Sequence, residues 1–248
     1  IGSCSSSNSG DARSIISMNK ASGFKIDANV NAANVSGYGY GVSLALGCLG
    51  FVTGSGGYCR EAISGAQTNG VVIERWNGGV IDSHNGGNFT VRDSTFDCVQ
   101  WAGHNLSVLD CVHTGSASAV KVRADSAHCT GALVVDGLRL GPLSTGVSAP
   151  SNSWTAANSL GTANIAGQRR MFDTISITRI SGQTTQAATI LSTGPTAPEI
   201  DVRMPDSIVV DGVHLPYANL SPCFIRFDVS TTTGTDVARR WIFRNITS

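Results

Sequence analysis

The stretch Leu133-Val134-Val135-Asp136-Gly137-Leu138-Arg139-Leu140-Gly141-Pro142 returns almost unchanged as Ile208-Val209-Val210-Asp211-Gly212-Val213-His214-Leu215-Pro216. In each copy two apolar side chains stand two residues apart, which puts them on one face of an extended strand. Asp-Gly follows, a pair suited to a corner with a positive φ, and the next apolar residue turns inward again. Looser copies are Val71-Ile73-Trp76, Leu106-Val108-Cys111, Ile175-Ile177-Ile180 and Trp241-Phe243-Ile246, while Phe24-Ile26 and Phe89-Val91 reach their next apolar residue late, at Val30 and Phe96. A shuffled chain would give such an alternation about four or five times. The weight therefore rests on the near-identity of the two Asp-Gly copies and on the second strand that trails each of them.

Those second strands read as Gly39–Leu44, Ala119–Val122, Ala188–Leu191 and Phe224–Val229. First strands begin at residues 24, 71, 89, 106, 133, 175, 208 and 241. The gap between 24 and 71 has room for one unrecognised strand pair. Residues 141–167, rich in Ser, Ala, Asn and Gly with Trp154 inside, form the longest loop candidate. Residues 1–20 are Ser- and Asn-rich and read as a flexible leader or inter-subunit arm, leaving 21–248 as one domain of a longer chain or processed product. No 3.6-residue apolar period persists anywhere, so no helix of usual length is expected.

The fold expected from this pattern is all-β: a right-handed parallel β-helix, a solenoid with irregular loop insertions. A β-sandwich or jelly roll is the alternative. Aligning the units gives two corner ladders. One runs Glu74, Arg92, Leu109, Asp136, Thr178, Asp211, Arg244; the other runs Arg75, Asp93, Asp110, Gly137, Arg179, Gly212, Asn245. The alignment sets Glu74 beside Arg92 and Arg75 beside Asp93, with Asp93 and Asp110 as neighbouring like charges.

Composition excludes several classes. Seventeen basic and seventeen acidic residues among 248 cancel, which removes the electrostatic case for a nucleic-acid partner. No run of about eighteen apolar residues marks a membrane span, and no charged-then-apolar leader marks a signal peptide. The seven cysteines show no metal spacing and read as small buried hydrophobes, with Cys48–Cys59 the one pair whose intervening loop would admit a disulfide. Five Asn-x-Ser/Thr sites occur, against about three by chance. Neither a metal nor any cofactor is expected. No Gly-rich phosphate loop opens a helix, and Gly54-Ser55-Gly56-Gly57 lacks the spacing of a nucleophile elbow.

The Val-Asp-Gly corners and the Gly-Tyr-Gly-Val-Ser-Leu strand resemble the right-handed β-helix of bacteriophage tailspikes and the wider pectate-lyase-like superfamily, over roughly residues 24–248. The resemblance implies a homotrimer on the virion tail, next to other tail proteins. It implies recognition of host surface polysaccharide and, in many members, its cleavage by a hydrolase or lyase. Rival readings are a virion structural or adaptor protein without glycan binding, and a free polysaccharide lyase or hydrolase.

Glycoside hydrolysis needs two carboxyls flanking the bond. The densest candidates are Asp82, Asp93, Asp97 and Asp110, with Trp101, Trp154, His84 and His104 as carbohydrate contacts. The plainer reading of Asp93, Asp110, Asp136 and Asp211 is as turn formers. Trp76 and Trp241 fall on inward positions and read as core, and His84 and His104 as solvated turn residues.

Overall fold

In this computed structural model the described residues are 14–31, 39–57, 61–115, 119–122, 131–141, 146–148, 169–170, 173–182, 187–193, 202–203, 206–215, 219–220, 225–227 and 240–247. Every regular element among them is a strand. In chain order these are β1 (Ser14–Asn19), β2 (Ser22–Asn31), β3 (Tyr40–Ala45), β4 (Leu49–Gly57), β5 (Glu61–Ala66), β6 (Gly70–Asn77), β7 (Val80–Arg92), β8 (Thr95–Phe96), β9 (Cys98–Leu109), β10 (Val112–His113) and β11 (Val120–Val122). There follow β12 (Ala132–Asp136), β13 (Arg139–Leu140), β14 (Gly146–Ser148), β15 (Arg169–Arg170), β16 (Thr174–Gly182), β17 (Ala187–Thr193), β18 (Val202–Arg203), β19 (Ser207–His214), β20 (Asn219–Leu220), β21 (Ile225–Phe227) and β22 (Arg240–Thr247).

All pairings are parallel. One row runs β2–β4–β6–β7–β9–β12–β16–β19–β22. Its inner column is Ile26, Val52, Ile73, Val91, Val108, Val135, Ile177, Val210 and Phe243, and every member but Phe243 is buried. The strand alternation that placed Val135 and Val210 on one face therefore places them in one column, with Ile177 between. A second row carries the trailing strands, β1–β3–β5–β7–β9–β11–β14–β17, with the first half of β7 and of β9 serving here and the second half serving the other row.

The corner ladder also holds. Arg75, Asp93, Asp110, Arg179 and Asn245 all take φ of 48–53°, and Gly137 and Gly212 take 71° and 69°. Left-handed backbone is costly for non-glycine residues and persists where neighbours fix it. Here the amides of Asp93, Asp110 and Gly137 donate to Leu109, Asp136 and Thr178 carbonyls at 3.0, 2.8 and 3.1 Å. The residue after each corner points inward. Trp76, Cys111, Leu138, Ile180 and Val213 are buried there, and so is Ser94, whose hydroxyl accepts from the Trp76 amide at 3.0 Å and donates to the Arg92 carbonyl at 2.6 Å.

These corners change the fold class. β6 and β16 run through Arg75 and Arg179 and hydrogen-bond on both sides of the bend: β6 with β7 and then β8, β16 with β12 and then β13. With β8–β10 and β10–β13 the pairing closes as β6–β7–β9–β12–β16–β13–β10–β8, an eight-strand parallel barrel beside a parallel sheet. The expectation of a right-handed β-helix solenoid, and its jelly-roll alternative, are both corrected by this closure. Side-chain periodicity reports which residues face inward and carries no information on whether backbone pairing closes.

Three smaller expectations are also corrected. Ser14–Asn19 is not leader but a strand paired with β3. Cys48, expected as a possible partner of Cys59, is a free, buried thiol whose Sγ–H donates to the Ala45 carbonyl at 3.1 Å; Cys59 lies outside the described residues. Trp241 lies in the Ile208 column yet is 38 % exposed, on a strand that among the described residues is paired on one side only. The room between residues 24 and 71 does hold a further strand, β4, paired to β2 and β6.

Candidate functional site

The outer side of the corner carries an edge of fixed polar groups. At one end Arg92 Nη2 donates to Glu74 Oε2 at 2.6 Å and Arg75 Nη2 to Glu74 Oε1 at 3.2 Å. The Arg92 bond holds the Glu74 carboxyl below its usual range. Farther along, Arg179 donates through Nε and Nη2 to the two Asp136 oxygens, each at 2.7 Å, and through Nη2 to Asp110 Oδ1 at 3.0 Å. Thr178 Oγ1 adds a 2.6 Å bond to Asp136 Oδ1. The guanidinium first, and this hydroxyl with it, hold the Asp136 carboxyl low, and the two carboxylates push Arg179 upward. At the far end Asn245 Nδ2 and Arg244 Nε reach the two Asp211 oxygens, both at 2.8 Å, and lower that carboxyl likewise.

Flanking strands extend the polar surface with neutral groups. Thr95 Oγ1 donates to Asn77 Oδ1, Asn105 Nδ2 to Asn88 Oδ1, and Ser55 Oγ to Asn29 Oδ1, all at 2.7 Å. In-register parallel strands put equivalent residues about 4.8 Å apart, within reach of short side chains, so the repeat itself builds these bridges.

The expected site residues separate. Asp93 and Asp110 are exposed neighbours at the corner. The like-charge contact expected there meets Arg179, which ion-pairs Asp110, and Arg75 pairs with Glu74. Asp97 is exposed but on a different stretch, between β8 and β9, where it accepts from Thr114 Oγ1 at 2.9 Å. Asp82 is fully buried and stands away from the edge on the trailing-strand row, beside Ser64 and Gln100. Trp101 is corrected from sugar contact to core: it is 0 % exposed and packs on Phe89 with ring centroids 5.2 Å apart. A ring with no open face cannot stack on a sugar. His104 is exposed; Trp154 and the His84 side chain lie outside the described residues. Trp76 is core, as expected.

Among the edge residues that the candidate set omits are Arg179, Arg92 and Arg244. The signal for Arg179 was present in the second ladder, where a glycine separates it from Asp110. A Cβ on Gly137 would sit 2.3 Å from Asp110 Oδ1 and 3.0 Å from Arg179 Nη2, so the missing side chain makes the long reach feasible.

Two buried titratable groups lie behind this surface. The Cys111 thiol, bonded to the Leu109 carbonyl at 3.2 Å, is pushed up by burial to about 11, which makes it inert. His113 donates from Nε2 to the Asp97 carbonyl at 2.9 Å, and burial pushes its pKa down. Among the described residues no group of His, Cys, Asp or Glu is arranged to hold a metal ion. Among the described residues no helix is long and apolar enough to cross a membrane. Comparison with protein-family models, curated proteins and solved structures finds no match to this chain.

Proposed function

We propose that the protein recognises a host surface polysaccharide as a tailspike- or tail-fibre-like component of a phage virion, and that the corner edge is its binding surface. One observation carries the reading. An exposed row of side chains at single-strand spacing is held rigid by bonds within the chain, so a polymeric, hydroxyl-rich ligand would meet pre-ordered donors and acceptors. Pre-ordering lowers the entropic cost of binding. Neutral amides and hydroxyls beside the charges match the chemistry of sugars.

The same geometry favours binding over cleavage. A general acid must carry a proton near neutral pH. Three of the five edge carboxyls, Glu74, Asp136 and Asp211, are instead held low by their partners.

A glycan array probed with the purified chain tests the proposal. Binding to one or more surface polysaccharides, weakened at least tenfold in Arg92→Ala and Asp93→Ala variants, is the expected result. No binding to any polysaccharide would overturn it in favour of a virion structural or adaptor role, and binding indifferent to both changes would overturn the corner edge as the binding surface. Reducing-end release lost in Asp93→Asn would reassign the edge to catalysis.

A further inference from the structure

We infer that the polysaccharide lies lengthwise along one outward stripe beside the corner edge, with the Phe51 ring as its stacking platform; this rests on the binding reading above. The residue two positions before each of Glu74, Arg92, Asp136, Asp211 and Arg244 points to the same side as they do. In register these residues form one column from Lys25 and Phe51 through Val72 to Val134, Val209 and Ile242, with serine or threonine on β7, β9 and β16 between them. Lys25, at one end, is the one charged member.

The stripe is one side chain wide and has polar groups on both sides. The charged corner residues bound it on one, and Asn88 and Asn105, joined at 2.7 Å, on the other. A pyranose has the matching layout, a C–H-rich ring face with hydroxyls around its rim. Burying that face on apolar side chains releases water while the rim keeps its hydrogen bonds. A protein partner needs about 1,200–2,000 Å² of buried surface around an apolar core. A single file in which Val72, Val134 and Val209 are half-buried gives it no such core. A slender polymer fits, with the strands marking steps of about 4.8 Å beneath it.

Phe51 is where the apolar surface of the stripe is most open. Its residue is 44 % exposed, and Leu49, two positions earlier, leans over Gly70, where an added Cβ would come within 2.8 Å of Leu49 Cδ1. Trp241 and Phe243 are exposed too, but they stand in the inward columns of Ile208 and Val210.

Binding of the intact chain is measured against immobilised glucans, mannans, galactans, polygalacturonate and polysialic acid, with thermal melting as the control for folding. Phe51→Ala should weaken binding of the retained polymer about tenfold or more without lowering the melting temperature, and Phe51→Trp should restore it. Fragments of that polymer should gain affinity with each added sugar up to about six or more, as a ligand spanning several strands requires. Unchanged binding in Phe51→Ala, while Arg92→Ala still weakens it, would overturn the platform and leave the polysaccharide reading intact. Affinity that saturates at two or three sugars would overturn the lengthwise course alone. Absence of binding to every polymer would overturn both the inference and the reading beneath it.

Discussion

Arg179 reaches Asp110 through space that Gly137 leaves open, its Nη2 donating to Asp110 Oδ1 at 3.0 Å across one intervening strand. Gly212 holds the same corner position farther along, with φ of 69° against 71°, yet the nearest atom to a Cβ there is 3.6 Å away. The two glycines thus share a backbone and differ in surroundings. Gly212→Ala should cost about 1–2 kcal/mol, the penalty of left-handed backbone alone. Gly137→Ala must also displace the Asp110 carboxylate and should cost about 1–2 kcal/mol more. Urea denaturation of both variants checks the order, and equal losses would show that the bridge does not depend on the gap.

The Asp136 carboxyl owes its low pKa first to Arg179. Arg179→Met should therefore raise it toward the ordinary value of 3.8, seen by carbon NMR of the side-chain carboxyls. The sign for stability follows. A carboxyl depressed in the folded state contributes stability above its unfolded pKa, and that contribution fades as pH falls through the folded value. The variant should accordingly lose less stability than the parent between pH 4 and the acid limit.

His113 works in a higher window. Its imidazole is fully buried among Phe96 and neighbours, and burial holds its folded pKa below 6.5. Below 6.5 the unfolded chain takes up a proton that the folded chain refuses, so stability falls as pH drops from there toward the folded pKa and levels off beneath it. His113→Gln keeps a donor for the Asp97 carbonyl and removes the titration. Denaturation midpoints of the variant should be flat between pH 6.5 and 5, where those of the parent decline.

Trp101 fills the interior opposite Phe89, and its ring lies against Gly86 and Gly103, where any Cβ would collide. Trp101→Ala should cost about 3–5 kcal/mol, in the range of large aromatic truncations in cores. Glycan affinity per folded molecule should not change, as measured by isothermal titration at a temperature where the variant remains folded.

The register was legible because a period of two and a corner with positive φ leave marks in side-chain choice. Glu74 opposite Arg92, and Val135 in line with Val210, follow from alignment alone and are found. β4 was not legible, since Leu49-Gly50-Phe51-Val52-Thr53-Gly54 interrupts alternation with glycines that pass close to the Phe24 and Ala28 backbone. Trp101 falls off the repeated corner pattern, yet Val99 and Trp101 stand two apart on buried positions in the first half of β9, a strand that the corner template does not cover. Closure of the barrel rests on backbone hydrogen bonds either side of Arg75 and Arg179, which any side chain permits. The site was half visible: the corner carboxylates and Arg92 could be read off, but Arg179 binds Asp136 and Asp110 across 43 and 69 residues of sequence.

The fold and its corner edge both rest on the order of strands along the inner column. Methyl NOE spectroscopy on protein labelled at Ile, Leu and Val reads that order directly. Strong Val135–Ile177 and Ile177–Val210 cross-peaks are expected, together with Val108–Val135. Their absence, with Val135 showing contacts to Val210 as a partner from a facing sheet, would contradict the parallel register on which the edge and its proposed ligand both rest.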